Sequence, residues 1–224
     1  MVFHVSPFSK QLDMNNMFKL MRPLNVLVAC ESSGEVRNAF RRMGHNAWSC
    51  DFLPADDKLL FHIQDDALEV AYDSSHQWDL MIAHPPCTYL CSSGLHWNKR
   101  TPGRAQKTED ALIFFKQLMI APIPMKAIEN PIGCVSTRIR KPTQIIQPYQ
   151  FGHDASKATC LWLIGLPKLE PTEYINPRLT KDGKKRWGNQ TDSGQNNLGP
   201  SPDRWKERSK TYSGIAKAMA EQWG

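Results

Sequence analysis

The alternation of apolar and polar positions first becomes regular at Asn25, where a short β-rich run to Cys30 stops at Glu31-Ser32-Ser33-Gly34. Val36, Ala39, Phe40 and Met43 then recur at helical spacing, which predicts a helix over Glu35 to Met43 with Gly44-His45 as its stop. A second strand is predicted over Asn46 to Cys50, ending at Asp51. Strand, crossover helix and strand make one βαβ unit with parallel pairing. Trp78 to Ala83 has the pattern of a buried strand, Lys107 to Met119 of an amphipathic helix, and Met125 to Ile128 of the next strand. Cys160 to Ile164 is a further strand and Ile215 to Trp223 a closing helix. The class predicted is α/β, a doubly wound, Rossmann-like, mostly parallel sheet in a single domain over residues 23–224, behind a polar, Met-rich N-terminal extension over residues 1–22.

Two stretches break the periodicity. Thr88 to Gln106 follows a strand end directly, and Glu170 to Lys210 is rich in Lys and Arg with Trp187 and Trp205 interleaved. Loops hung on a rigid sheet carry function more often than the sheet does.

Composition narrows the class. The 224 residues are 41% hydrophobic, enough for a full core, and no apolar run approaches the ~20 residues that span a bilayer. The N-terminus has neither an uninterrupted apolar region nor a small-residue cleavage site, which argues against secretion. Six cysteines are scattered among apolar segments without the spacing of a disulfide framework, so a reducing, cytoplasmic compartment is expected. The net charge of +6 favours a polyanionic partner.

The chemistry concentrates in two strand-end turns. Pro85-Pro86-Cys87 follows Leu80-Met81-Ile82-Ala83, and Glu129-Asn130-Pro131 follows Ala127-Ile128. The first supplies a nucleophile and the second an acid. A thiol can add to an electron-poor ring carbon if a carboxyl protonates a ring nitrogen, and a raised proton affinity would suit Glu129 to that task. Two prolines stiffen the turn and aim Cys87 out of the strand end. A reactive thiolate needs a nearby cation or helix N-terminus, and His84, Lys99, Arg100 and Arg104 are the local candidates. The bland readings are a buried cysteine and a surface carboxylate. At the first turn, Glu31, Ser32, Ser33 and Gly34 offer backbone amides for close approach to an adenosyl group, with Asp51 about twenty residues on for its ribose hydroxyls. Cys87, Cys91, His96 and His153 are a conceivable metal set, but their spacing lacks the paired knuckles of a zinc site.

In the order Pro-Cys, then Glu-Asn, within one doubly wound domain, the chain resembles the DNA cytosine carbon-5 methyltransferase family, with Glu-Asn-Pro in place of the family's Glu-Asn-Val. The resemblance runs from about Leu24 to the C-terminus. It implies S-adenosylmethionine as cofactor, held around Ala29 to Gly34, Asp51, Phe52 and Pro85, with Asp65 or Asp66 near the adenine amine. Most glycines of the family's cofactor turn are missing here. It also implies that Cys87 attacks cytosine carbon 6 while Glu129 hydrogen-bonds N3, that Asn130 shapes the turn, and that Lys157 stands as a cation where the family has arginine. Ser209 to Ala216 resembles a loosened form of the family segment that covers the cofactor.

The expected partner is DNA, as a duplex with a flipped cytosine or as a single strand, with no membrane and no obligate protein partner. Candidate contacts are Ser92, Lys99, Arg100 and Arg104 in the first loop, Arg138 and Arg140 after the second motif, and Lys184, Lys185, Arg186 and Trp187 in a reduced recognition region over residues 168–208. Ser92, Ser93 and Gly94 would make the first loop a supple closing element. Two rivals stand beside this reading: methylation of an exocyclic amine, against which His84 and Cys87 occupy the key motif positions, and a catalytically inactive nucleic-acid-binding protein of the same fold.

Overall fold

A computed structural model describes residues 22–224. The expected extension over residues 1–22 lies outside the described residues except for Arg22, which pairs with Asp79.

Seven strands form one sheet: β1 (Asn25–Ala29), β2 (Asn46–Cys50), β3 (His62–Ile63), β4 (Leu80–Ala83), β5 (Met125–Pro131), β6 (Gln144–Ile146) and β7 (Thr159–Ile164). Their spatial order is β3-β2-β1-β4-β5-β7-β6, parallel throughout except that β7 runs antiparallel to both neighbours. This is the mostly parallel, Rossmann-like α/β sheet that the βαβ pattern predicts. The helices are α1 (Glu35–Arg42), α2 (Ala67–Tyr72), α3 (Ser92–Leu95), α4 (Arg104–Ile120), α5 (Val135–Arg138), α6 (Arg204–Ser209) and α7 (Ser213–Trp223), and a two-stranded ribbon joins β8 (Arg178–Leu179) to β9 (Lys185–Arg186).

Both faces of the sheet are covered, which is why its strands read as continuous apolar runs. Alternate residues of β1 serve opposite layers. Val26 and Val28 join Phe40 of α1 and Ile215, Met219 and Trp223 of α7 in one core. Leu27 and Ala29 join Val70 of α2 and Leu112, Phe115 and Leu118 of α4 in the other, with Phe115 edge-on to Trp162 of β7. Successive strand side chains point to opposite faces, so one strand serves two layers. Among the described residues no helix is long and apolar enough to cross a membrane.

The chain leaves β1 for β2 and β3 on one side and returns to place β4 on the other. The strand order therefore reverses between β1 and β4, the place where open α/β sheets bind ligands beyond their carboxyl ends.

Candidate active site

Parallel register sets the geometry. Ala83 of β4 pairs with Ile128 of β5, so the turn carrying Cys87 and the residue Glu129 emerge side by side at the carboxyl edge. Asn130 locks them together, its side-chain amide donating to the Pro85 carbonyl at 2.8 Å. The next residues are stitched as well. Ser92 N–H and Oγ both donate to Ile132 O, Cys134 N–H donates to Leu90 O at 2.9 Å, and Cys91 bridges Gly133. A Cβ on Gly133 would lie 2.0 Å from the Leu90 carbonyl oxygen, so this approach of two backbones requires glycine. The loop expected to be supple is folded instead into α3 and a following helical turn, and the hydroxyl of Ser92 is engaged with protein.

Cys87 is exposed and opens a single helical turn, Cys91 N–H donating to Cys87 O at 2.9 Å. Residues four apart share a helix face, which brings the two thiols close enough to influence each other. The neighbouring Cys91, the shielding of the sulfur by the turn and the charge of Glu129 push the Cys87 thiol up, and the Lys157 ammonium pulls against them. Cys91 is pulled down to about 5, first by the neighbouring Cys87 and, against burial, by Ser93 Oγ at 3.3 Å and the Gly94 amide. Of the two, Cys91 is the thiol whose ionised form is favoured. This corrects the expected source of thiolate activation: His84 faces Glu129, Arg104 donates to Thr88 O and lies 4.8 Å from the Tyr89 ring centroid, and Arg100 lies against Trp97. Lys99 is exposed.

Glu129 keeps 16% of its side chain exposed and receives His84 Nδ1 at 3.2 Å. Burial alone would raise its proton affinity, yet the His84 bond and the charges of Lys157 and His84 together hold the carboxyl below its ordinary value. The raised affinity expected from sequence is therefore absent. Lys157 lies within electrostatic reach of both Cys87 and Glu129, while its ammonium also donates to the Arg208 carbonyl at 2.9 Å, tying α6 to the site.

On the other side of the turn lies a cleft of about 390 Å³ at the switch point, within the size range of small-molecule sites. Cys30 after β1, Asp51 and Phe52 after β2, Asp65 after β3 and Pro86 after β4 line it, facing Tyr89 and the Lys107, Asp110, Ala111 and Phe114 stripe of α4. Of the two adjacent acids, Asp65 faces the cleft, while Asp66 caps α2 by accepting from Leu68 N–H at 2.8 Å. Pro86 rather than Pro85 lines the cleft; Pro85 is buried. Ala29 is buried in the sheet. Glu31 is buried too, and its carboxylate accepts from Val36 and Arg37 N–H at 2.8 and 3.2 Å, closing the N-terminus of α1. Ser33 hydrogen-bonds Glu31, Ser32 O accepts from Asp56 N–H, and Gly34 takes φ 72° where a Cβ would strike Arg37 and Asp57. The side chains of Glu31 and Ser33 thus serve the first amides of α1, Glu31 N–H donates to Cys50 O at 3.1 Å, and Cys30, just before this turn, lines the cleft. Sequence reasoning missed the α4 residues, although Lys107, Asp110, Ala111 and Phe114 stand at helical spacing and so share a stripe.

The basic candidates divide. Arg138 forms a forked pair with Glu109, and Arg140 donates to Leu163 O. Lys184 pairs with Asp182, and Arg186 donates to Asp192 O. Lys185 is exposed on β9. Trp187 stacks on Tyr149 with ring centroids 4.3 Å apart and donates to Ile175 O, so it is a packing residue rather than a wedge. Among the described residues no group of three or more His, Cys, Asp and Glu is arranged to hold a metal ion.

No protein-family model matches the chain, and no curated protein sequence matches it. Among solved structures, one that it is similar to is described provisionally as a prophage-encoded DNA modification methyltransferase from E. coli. The likeness covers 68% of this chain and 52% of that one, at 13% identity and a TM-score of 0.44. The chain spans about half the length of that structure, and a likeness of this strength carries none of the reasoning that follows.

Proposed function

We propose that the chain is a DNA cytosine carbon-5 methyltransferase that uses S-adenosylmethionine. The observation that carries this reading is the juxtaposition of Cys87 and Glu129 at neighbouring parallel strand ends, joined by the Asn130 bond to Pro85, with Lys157 in reach of both.

The cleft fits the cofactor. It is large enough for an adenosyl group, its apolar α4 wall suits a purine, and Asp51 and Asp65 offer carboxylates for hydroxyl and amine donors. When bound there, S-adenosylmethionine supplies an electrophilic methyl group. Pro86 lines this cleft and Cys87 follows it directly, so the thiol stands between the cofactor side and the Glu129 side.

The protein's own steps follow from the site. Glu129 hands a proton to cytosine N3 and makes carbon 6 electrophilic. Cys87 sulfur bonds carbon 6 as its proton passes to Cys91, the neighbouring thiol whose ionised form is favoured. Carbon 5, now electron-rich, would take the methyl group and then lose its proton to solvent as the carbon–sulfur bond breaks, the departing Cys87 sulfur regaining its proton from Cys91 and N3 returning its own to Glu129. Carbon 6 is shielded inside a stacked duplex, so the base must be flipped or single-stranded.

Trapping tests the reading. On DNA containing 5-fluorocytosine the carbon-5 proton is replaced by fluorine, and the last elimination cannot occur. We expect a denaturation-resistant adduct that requires S-adenosylmethionine and is absent in C87S. Methyl groups on an exocyclic amine, or DNA binding with no adduct, would overturn it.

A further inference from the structure

The Glu129 carboxyl poses a problem for its own role: the His84 bond and the Lys157 charge hold it below its ordinary value, which disfavours the acid form the reaction needs. His84 resolves it. The residue follows β4 directly, its Nδ1 stands 3.2 Å from Glu129 Oε2, and its side chain is only 9% exposed. Its Nε2 is buried without a hydrogen-bond partner among the described residues. A buried imidazole bonded on one side alone to a carboxylate, in the small pocket that Glu129, Lys157 and Tyr212 also line, is placed to handle a proton at that carboxylate.

We propose that His84 is the proton reservoir of Glu129, a positioning residue that holds the acid's proton between turnovers and receives it back. This rests on the cytosine reading above. As the base docks, the Nδ1–H bond breaks and Glu129 becomes a carboxylic acid; the acid proton then passes to N3 as sulfur bonds carbon 6. When the carbon–sulfur bond breaks, N3 returns the proton through Glu129 to Nδ1. No other donor is needed, and no net charge enters the cycle.

The groups facing His84 come from four elements: Glu31 from the turn after β1, Glu129 from β5, Lys157 ahead of β7 and Tyr212 ahead of α7. Glu31 is buried against α1 and its proton affinity is raised, chiefly by burial.

The test is H84N, whose amide N–H can take the place of Nδ1–H yet cannot carry an extra proton. Methyl transfer into DNA is measured against pH beside 5-fluorocytosine trapping. We expect kcat to fall on the order of 100-fold with KM for DNA within a few-fold, the loss typical of a proton-transfer group. The alkaline limb of the kcat profile should move to lower pH, because Glu129 must then take its proton directly from solvent. A hydrogen bond that merely orients Glu129 is preserved in H84N and would leave both limbs in place. Wild-type trapping with an H84N profile like that of the wild type overturns the role of His84 alone, whereas no trapping in the wild type overturns the cytosine reading and this role with it. If circular dichroism shows H84N unfolded, H84Q, which extends an amide toward the same carboxylate, is read by the same criteria.

Discussion

At the scale of residues, the two sulfurs are the most unequal neighbours in the site. Cys91 is pulled down to about 5 while Cys87 is pushed up, and each shift has the other sulfur as its first cause. Their pH responses should therefore differ in sign from the ordinary thiol. Between about pH 6 and 8 iodoacetamide should alkylate Cys91 ahead of Cys87, although Cys87 is the more exposed, because only the thiolate reacts. In C91S the neighbouring sulfur and its like charge are gone. Cys87 should then label at lower pH than in the wild type, as peptide mass spectrometry would show; an unchanged Cys87 profile would mean the thiols do not share a proton. The four-residue spacing of the pair was visible in the sequence. Its consequence was not, since it depends on a helical turn formed only where Pro85-Pro86 ends β4 and Gly133 lets the second loop approach.

Elements differ in how plainly the chain announces them. β1, β2, β4 and β5 read directly because both of their faces are buried, and α1 and α7 because their apolar faces repeat at helical spacing. β3 and β6, of two and three residues, and α2, of six, are too short for any period to register and owe their form to neighbours. The candidate site followed the same rule. Asp51, beyond β2, and Cys87, beyond β4, stand where an apolar run gives way to a turn, whereas Glu129 falls inside β5, and the α4 wall of the cleft required knowing which way that helix faces. Glu31 misled because its side chain, not its backbone, meets the helix amides. The stitch between the two catalytic turns can be tested on its own: Gly133→Ala should cost about 1–3 kcal/mol of stability by forcing the Leu90 carbonyl aside, and should weaken adduct formation more than S-adenosylmethionine binding. Denaturant unfolding and calorimetric titration separate the two effects.

Across the whole molecule, the charge of +6 meets an unequal surface. Arg138, Arg186 and Lys184 are engaged with groups of the protein itself, leaving exposed Lys99 and Lys185 better placed to meet phosphate. Replacing both with alanine should lower the slope of log affinity against log salt by about 2, roughly one per phosphate contact, with little change in preference among sequences. An unchanged slope would remove both residues from the DNA path. The stitched pair of turns sets a further condition on the substrate. Asn130, Gly133 and Ser92 make the thiol turn and the carboxyl turn one rigid jaw, so the protein cannot close around a base that stays stacked. The work of distortion then falls on the nucleic acid, and cytosines that are already loosely held should react fastest. A cytosine opposite a mismatch or in a bulge should outpace the same cytosine in a perfect duplex, and the margin should shrink as temperature loosens the pairing.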